Sequence, residues 1–238
     1  MKRISAGWWL LSLTVFSSLL FTSGCNVLAP IYFGMILFGV DSRIPPKFQF
    51  PEPEDKDKPI RVAVITYADV NTQIELGHVD RELDDAVGRM LAKGMFDEKK
   101  KGIEVIKASK IHRWQDEHPD WHSIASEAEI GQRLKADYLV YLEVGHIRFY
   151  EEGSNKTLFK GMAEMTVTVI KVDDNEGDVV LPRDYVTVEF PKGRPIPAGS
   201  DVTLAQFHRM FMTRIAQRVC WLFLPHDRGD EYDGKDPF

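Results

Sequence analysis

Between residues 138 and 190 apolar side chains alternate with polar ones, and this pattern constrains the fold more than any other feature of the chain. Tyr138-Leu139-Val140-Tyr141-Leu142-Glu143-Val144 opens a strand that reaches about Glu151. Gly153-Ser154-Asn155 signals a turn. Residues 159–173 give a second long strand, where Met165, Val167, Val169 and Lys171 alternate with Thr166, Thr168, Ile170 and Val172. Asp174-Asn175-Glu176-Gly177 marks another turn, and residues 179–190 give the third strand. Long strands joined by short turns pair antiparallel, so these three form a meander. Pro182 places the last strand at an edge or at an irregularity, because proline cannot donate to a ladder. A sheet of this kind needs at least one covering layer.

The flanking sequence supplies helices for that layer. Ile60-Arg61-Val62-Ala63-Val64-Ile65 reads as a buried strand. Leu76, Val79, Leu83, Val87, Met90 and Leu91 follow at helical spacing, with Gly94 as the expected C-terminal stop. Residues 103–106 form a second short strand, and residues 109–129 a polar stretch with short helical pieces. A helix closing at Leu134 turns Ile124, Ala128 and Leu134 inward. After the meander, Ser200-Asp201 offers caps for a last helix. There Leu204, Phe207, Phe211, Ile215, Val219 and Leu222 make one apolar stripe, while Arg209, Arg214 and Arg218 fall largely off it. That stripe is expected to pack across the strands that carry Tyr138, Met165 and Val186. The expected class is α/β (α+β): a mixed sheet with a three-strand antiparallel meander packed by helices.

The N-terminus reads as an address. Lys2 and Arg3 precede an apolar run over residues 7–21, small residues follow, and no acid occurs before Asp41. The run Phe21-Thr22-Ser23-Gly24-Cys25 resembles the lipobox of bacterial lipoproteins, with Thr22 where that family usually has Leu. The resemblance implies cleavage before Cys25, a diacylglycerol on its thiol and an acyl chain such as palmitate on the new amino group. Several acyl chains hold a protein on a membrane far better than one. Asn26 stands where an Asp often marks inner-membrane retention, so the periplasmic face of the outer membrane is the expected address in a double-membraned cell.

Four segments follow from this reading: a signal peptide (1–24), the lipidated Cys25 with an apolar segment and a tether (25–59), an α/β periplasmic domain (60–225) and a polar tail (226–238). Residues 27–40 (VLAPIYFGMILFGV) are too few to span a bilayer. They lie at the lipid interface, pack on a partner, or fold back on the domain. Residues 41–59 carry five prolines among acids and lysines, a composition that favours extended chain.

The run from Glu129 to Val144, EIGQRLKADYLVYLEV, looks like the helix-to-central-strand step of periplasmic lipoprotein domains of the CsgG, LpoB and TolB N-terminal type. The opening Val62-Ala63-Val64-Ile65 strand and its helix fit the same pattern. The resemblance implies an anticodon-binding or TolB N-terminal-like sandwich of two or three layers, and a non-catalytic role in envelope assembly or secretion. It places no binding residue.

Chemistry-bearing motifs are few. Hydrophobic residues at 44% and charged residues at 28% suit a globular chain, and a formal net charge of −6 gives no footprint for nucleic acid. Two cysteines exclude a disulfide framework, and Cys220 reads as a reduced core residue. His118 and His122 are four apart with His112 nearby, but DEHPDWH is not HExxH and Pro119 interrupts it. Trp114 and Trp121 flank this stretch as candidate partner contacts or as caps on the core. Lys99-Lys100-Lys101 reads as a solvated turn, Asp84-Asp85 as a charged helix surface, and residues 192–199 as an ordered loop. No cofactor or metal is expected. The functional expectation is a lipid-anchored envelope protein that binds another envelope protein or peptidoglycan. The alternative is a lipid-anchored hydrolase or metal-dependent enzyme that uses His112, His118 and His122.

Overall fold

The computed structural model describes residues 43–227, except 54, 56, 101, 124–125 and 173–176, together with residue 229. Cys25, residues 27–40, Ile124 and most of the polar tail therefore lie outside the described residues. The elements in chain order are β1 (Ile60–Ala68), α1 (Val70–Leu76), α2 (Val79–Asp97), β2 (Ile103–Val105), α3 (Ala108–Glu117), a 3₁₀ turn (Trp121–Ser123) and α4 (Glu127–Leu134). Then come β3 (Tyr138–Tyr150), β4 (Leu158–Lys171), β5 (Asp178–Phe190), β6 (Ile196–Pro197) and α5 (Leu204–Cys220). One mixed sheet has the order β2-β1-β3-β4-β5, with the two-residue β6 beside β4. β1 runs parallel to β2 and β3, and β3, β4 and β5 form the expected antiparallel meander. β5 is an edge strand, and its pairing with β4 slips on both sides of Val169, opposite the stretch that contains Pro182. Among the described residues no helix is long and apolar enough to cross a membrane.

Strand alternation gives the sheet two faces. On the first lie Val62, Val64, Val140, Leu142, Met165, Val167, Val186 and Val188, covered by α2 and α5. Phe207, Phe211, Ile215 and Val219 of α5 are wholly buried there, as their spacing predicts, but Leu204 at the helix start is 44% exposed. On the second face α3, the 3₁₀ turn and α4 cover Ala63, Ile65, Leu139 and Ile170. The covering is local: the remainder of β3, β4 and β5 has no described helix on its second face.

Glycines mark two departures from the expected helices. Gly77 (φ 77°) breaks the apolar stripe into α1 and α2, since that backbone conformation costs a side-chain-bearing residue energy. Gly94 does not stop α2, which continues to Asp97. A Cβ at Gly94 would stand 2.1 Å from Leu224 Cδ1, so glycine serves there as clearance for the chain that follows α5.

The first part of the expected tether is docked on the domain. The Ile44 N–H donates to the His226 carbonyl (2.8 Å) and the His226 N–H donates back (3.2 Å). The Phe48 N–H donates to the Leu222 carbonyl (2.9 Å). Phe50 is buried and stacks on Phe223 (5.6 Å), and Phe48 meets Phe50, Tyr138 and Phe223 edge-on or tilted. Arg43 pairs with Glu98, and Lys47 Nζ reaches Asp184 at 2.7 Å. Two aromatics thus outweigh the extended bias of the prolines around them. His226 is likewise buried and stacked on Trp221 (4.4 Å), so the domain extends past both of its expected ends.

Candidate functional site

Asp84 does not lie on the charged helix surface that its sequence neighbours suggest; the structure places it in the core. It is 1% exposed on α2 and faces Thr66 of β1 and His112 of α3. The helix period explains this, because residues 80, 84, 87 and 91 share one face of α2 and that face meets the sheet. His112 Nε2 stands 3.5 Å from Asp84 Oδ2, at the outer edge of hydrogen-bond reach. Both Asp84 oxygens, Thr66 Oγ1, Asp80 Oδ1, Gln115 Oε1 and His112 Nε2 are buried without a well-formed hydrogen bond. Burial pushes the Asp84 carboxyl up to about 7, against the lowering pull of His112 and Thr66. The carboxylate in turn raises His112, which burial opposes.

Both shifts have one sign. The folded state binds each proton more tightly than the unfolded chain does, so their contribution to stability is full at low pH and is lost as pH rises. Unfolding free energy is expected to fall by about 2 kcal/mol between pH 5 and pH 8 from Asp84. Asp84→Asn should remove at least half of that slope. Urea unfolding of both proteins across the range checks it, and an unchanged slope in the variant would refute the assignment.

Of the three candidate histidines, His112 stands apart, and His118 and His122 join one cluster of rings through Trp114 and Trp121. His112 is tied to Asp84, His118 Nδ1 lies 2.9 Å from the Trp114 carbonyl oxygen with its ring on Trp114 (5.1 Å), and His122 stacks on Tyr67 (5.7 Å). Among the described residues no group of three His, Cys, Asp or Glu side chains is placed to hold a metal ion. Trp121 is 8% exposed and belongs to the second core, with Tyr67 (6.2 Å) and Trp114 (6.5 Å) against it. Trp114 is half-buried, so of the two tryptophans it keeps more surface for a partner. These rings stand at the carboxyl end of β1, where the connections after β1 and β2 leave on opposite faces of the sheet, the usual place for a ligand crevice in a parallel sheet.

Beside the rings lies the uncovered part of the second face. Sheet register aligns Tyr67 with Glu143, Glu143 with Thr166 and Thr166 with Tyr185. Thr166 Oγ1 is 3.4 Å from Glu143 Oε2, and Tyr185 is 77% exposed. The adjacent Tyr141 lies opposite Thr168, and Arg183 acts on its hydroxyl electrostatically. Farther along, Lys160 Nζ pairs with Glu189 (3.0 Å) and Glu151 (3.4 Å), and Arg148 with Glu152 (2.8 Å). Sequence alone could not assemble this face, because the row depends on the register of four strands.

A separate groove of about 450 Å³ lies between Phe50, Pro51, Pro53, Lys99, Lys100 and Ile103. Its two lysines follow the C-terminal end of α2, where cations are favoured by the helix dipole. Cys220 is buried and unbridged, and burial raises its thiol far above the usual range, as suits a core residue.

No protein-family model matches the chain, and no curated protein matches it in sequence. Among solved structures, a PelC dodecamer from Paraburkholderia phytofirmans is similar at 15% identity, covering 74% of this chain and 94% of that one, with a TM-score of 0.36. The hypothetical protein CT253 from Chlamydia trachomatis is similar at 17% identity, over 68% and 96% of the two chains, with a TM-score of 0.37. Lipoprotein GNA1162 from Neisseria meningitidis is similar at 12% identity, over 68% and 95%, with a TM-score of 0.31. Scores this low do not establish a common fold.

Proposed function

We propose that this chain is a lipid-anchored envelope protein whose domain acts by binding, without catalysis of its own. The observation that carries the reading is the order basic pair, apolar run, Thr22-Ser23-Gly24 and Cys25, placed ahead of a folded α/β domain. His112 is taken up by the buried Asp84 while His118 and His122 pack against aromatic rings, which favours binding over the enzyme alternative, since acid–base chemistry needs such groups to converge on one substrate position. Asn26 favours outer-membrane sorting, and the partner is another envelope protein or peptidoglycan.

Wild-type protein extracted from membranes should begin at Cys25 and carry the mass of several acyl chains. Cys25→Ala should accumulate as a longer precursor without that mass, and should leave the membrane fraction that holds the wild type. Intact mass spectrometry with fractionation checks both. A wild-type chain that still begins at Met1 without added mass would overturn the reading.

A further inference from the structure

The uncovered part of the second sheet face has a chemistry of its own. The row Tyr67, Glu143, Thr166, Tyr185 crosses four strands. At about 4.8 Å per strand its two phenol-bearing residues stand roughly 14 Å apart. Between and beside them lie the hydroxyls of Thr166 and Thr168, the Glu143 carboxylate and the Arg183 guanidinium. The next residues along the face are His146, Glu164 and Thr187, aligned by register, then Arg148, Met162 and Glu189.

Three kinds of partner fit this surface poorly. A dry protein interface has a core depleted of charge, and here charged and hydroxyl groups fill the centre. Nucleic acid or an anionic membrane calls for a surplus of basic groups, yet Lys160 is matched by Glu189 and Glu151, and Arg148 by Glu152. A compact ligand needs a concave pocket, and this is an extended strand surface. The surface suits a long, hydroxyl-rich chain. The exposed Tyr185 ring offers an apolar face to the C–H face of a sugar ring, Tyr67 ends the row half-buried under His122 and Trp121, and carboxylate, guanidinium and threonine groups take hydroxyls as donors and acceptors.

We propose that this face, from Tyr67 through Glu143 and Thr166 to Tyr185, binds the β-1,4-linked N-acetylhexosamine backbone of cell-wall glycan. The proposal rests on the reading of the chain as an envelope binding module and names its partner chemistry.

The test uses the full-length protein in detergent, with two probes: purified peptidoglycan sacculi in a sedimentation assay, and a hexamer of β-1,4-linked N-acetylglucosamine in a calorimetric titration. Wild type should bind both. Tyr185→Ala should weaken both at least tenfold, whereas Tyr185→Phe should stay within about threefold of wild type because the stacking ring is kept. Tyr185 is 77% exposed, so the alanine variant should unfold at the wild-type denaturant concentration. Failure of wild type to bind either probe overturns the proposal, as does wild-type affinity in Tyr185→Ala or an equal loss in Tyr185→Phe. Glycan binding without acylation of Cys25 would sink the anchor and leave this face standing. Acylation without glycan binding would do the reverse, and cross-linking of Tyr185 to a protein in that case would assign the face to a protein partner.

Discussion

Phe211→Ala is expected to lower the free energy of unfolding by about 3–5 kcal/mol, a large part of a domain's usual 5–15 kcal/mol. Phe211 is wholly buried at the centre of α5. Its ring meets Phe149 edge-on at 6.0 Å and stacks with Phe207 at 6.1 Å and Phe190 at 6.5 Å. Beneath it is Gly161 of β4, where a Cβ would lie 2.7 Å from the ring. Glycine lets the ring press on the backbone, so little can move in to fill the space left by alanine. Arg214→Ala, one turn on and off the stripe, should cost about 1 kcal/mol or less, the worth of its contact with the Trp221 ring at 5.1 Å. Denaturant unfolding of both variants decides the matter, and small, equal losses would mean that α5 is peripheral.

Removal of residues 1–57 should destabilise the domain by about 3–5 kcal/mol relative to removal of residues 1–42, because only the longer deletion takes Phe48 and Phe50. Phe50 is 6% exposed and seals the core between Tyr138 and Phe223. The hydrogen bonds to Leu222 and His226 would be lost as well. Residues 58 onward would keep every described helix and strand and still expose Phe223 and Tyr138 to water. On composition alone, a domain starting at Asp41 gains nothing over one starting at Lys58; the packed aromatics reverse that expectation. Melting curves of the two chains check this, and melting points within a degree or two would show that the docked strap of residues 44–50 adds nothing to the fold.

Much of the fold is legible in the sequence because it follows from period. The meander strands lie within about two residues of where alternation puts them, and α5 buries the stripe its spacing defines. The strap is hidden because Pro45, Pro46, Pro51 and Pro53 dilute two phenylalanines below any periodic signal. Asp84 is misread because Asp85 beside it makes the two look like one charged patch. Adjacent residues on a helix point 100° apart, so one can be solvated while the other is in the core. The position of Asp84 on the Val87 and Leu91 face is the available signal. Gly94 reads as a stop because glycine ends helices by conformation more often than it clears space for a leucine. The open face is out of reach, since strand order and register decide which of Tyr67, Tyr141 and Tyr185 become neighbours.

The docking of residues 44–50 also determines reach. These residues lie against Tyr138, the first residue of β3, and beside the chain that leaves α5, so the polypeptide enters and leaves the domain together. β3 runs away from that point for 13 residues, and β4 returns over 14. At about 3.3 Å per residue the tip of this hairpin stands roughly 40 Å from the point of entry. The strands thus act as a ruler: the β3–β4 tip stands at a fixed distance from the point where the chain enters the domain, whatever the length of the proline-rich segment.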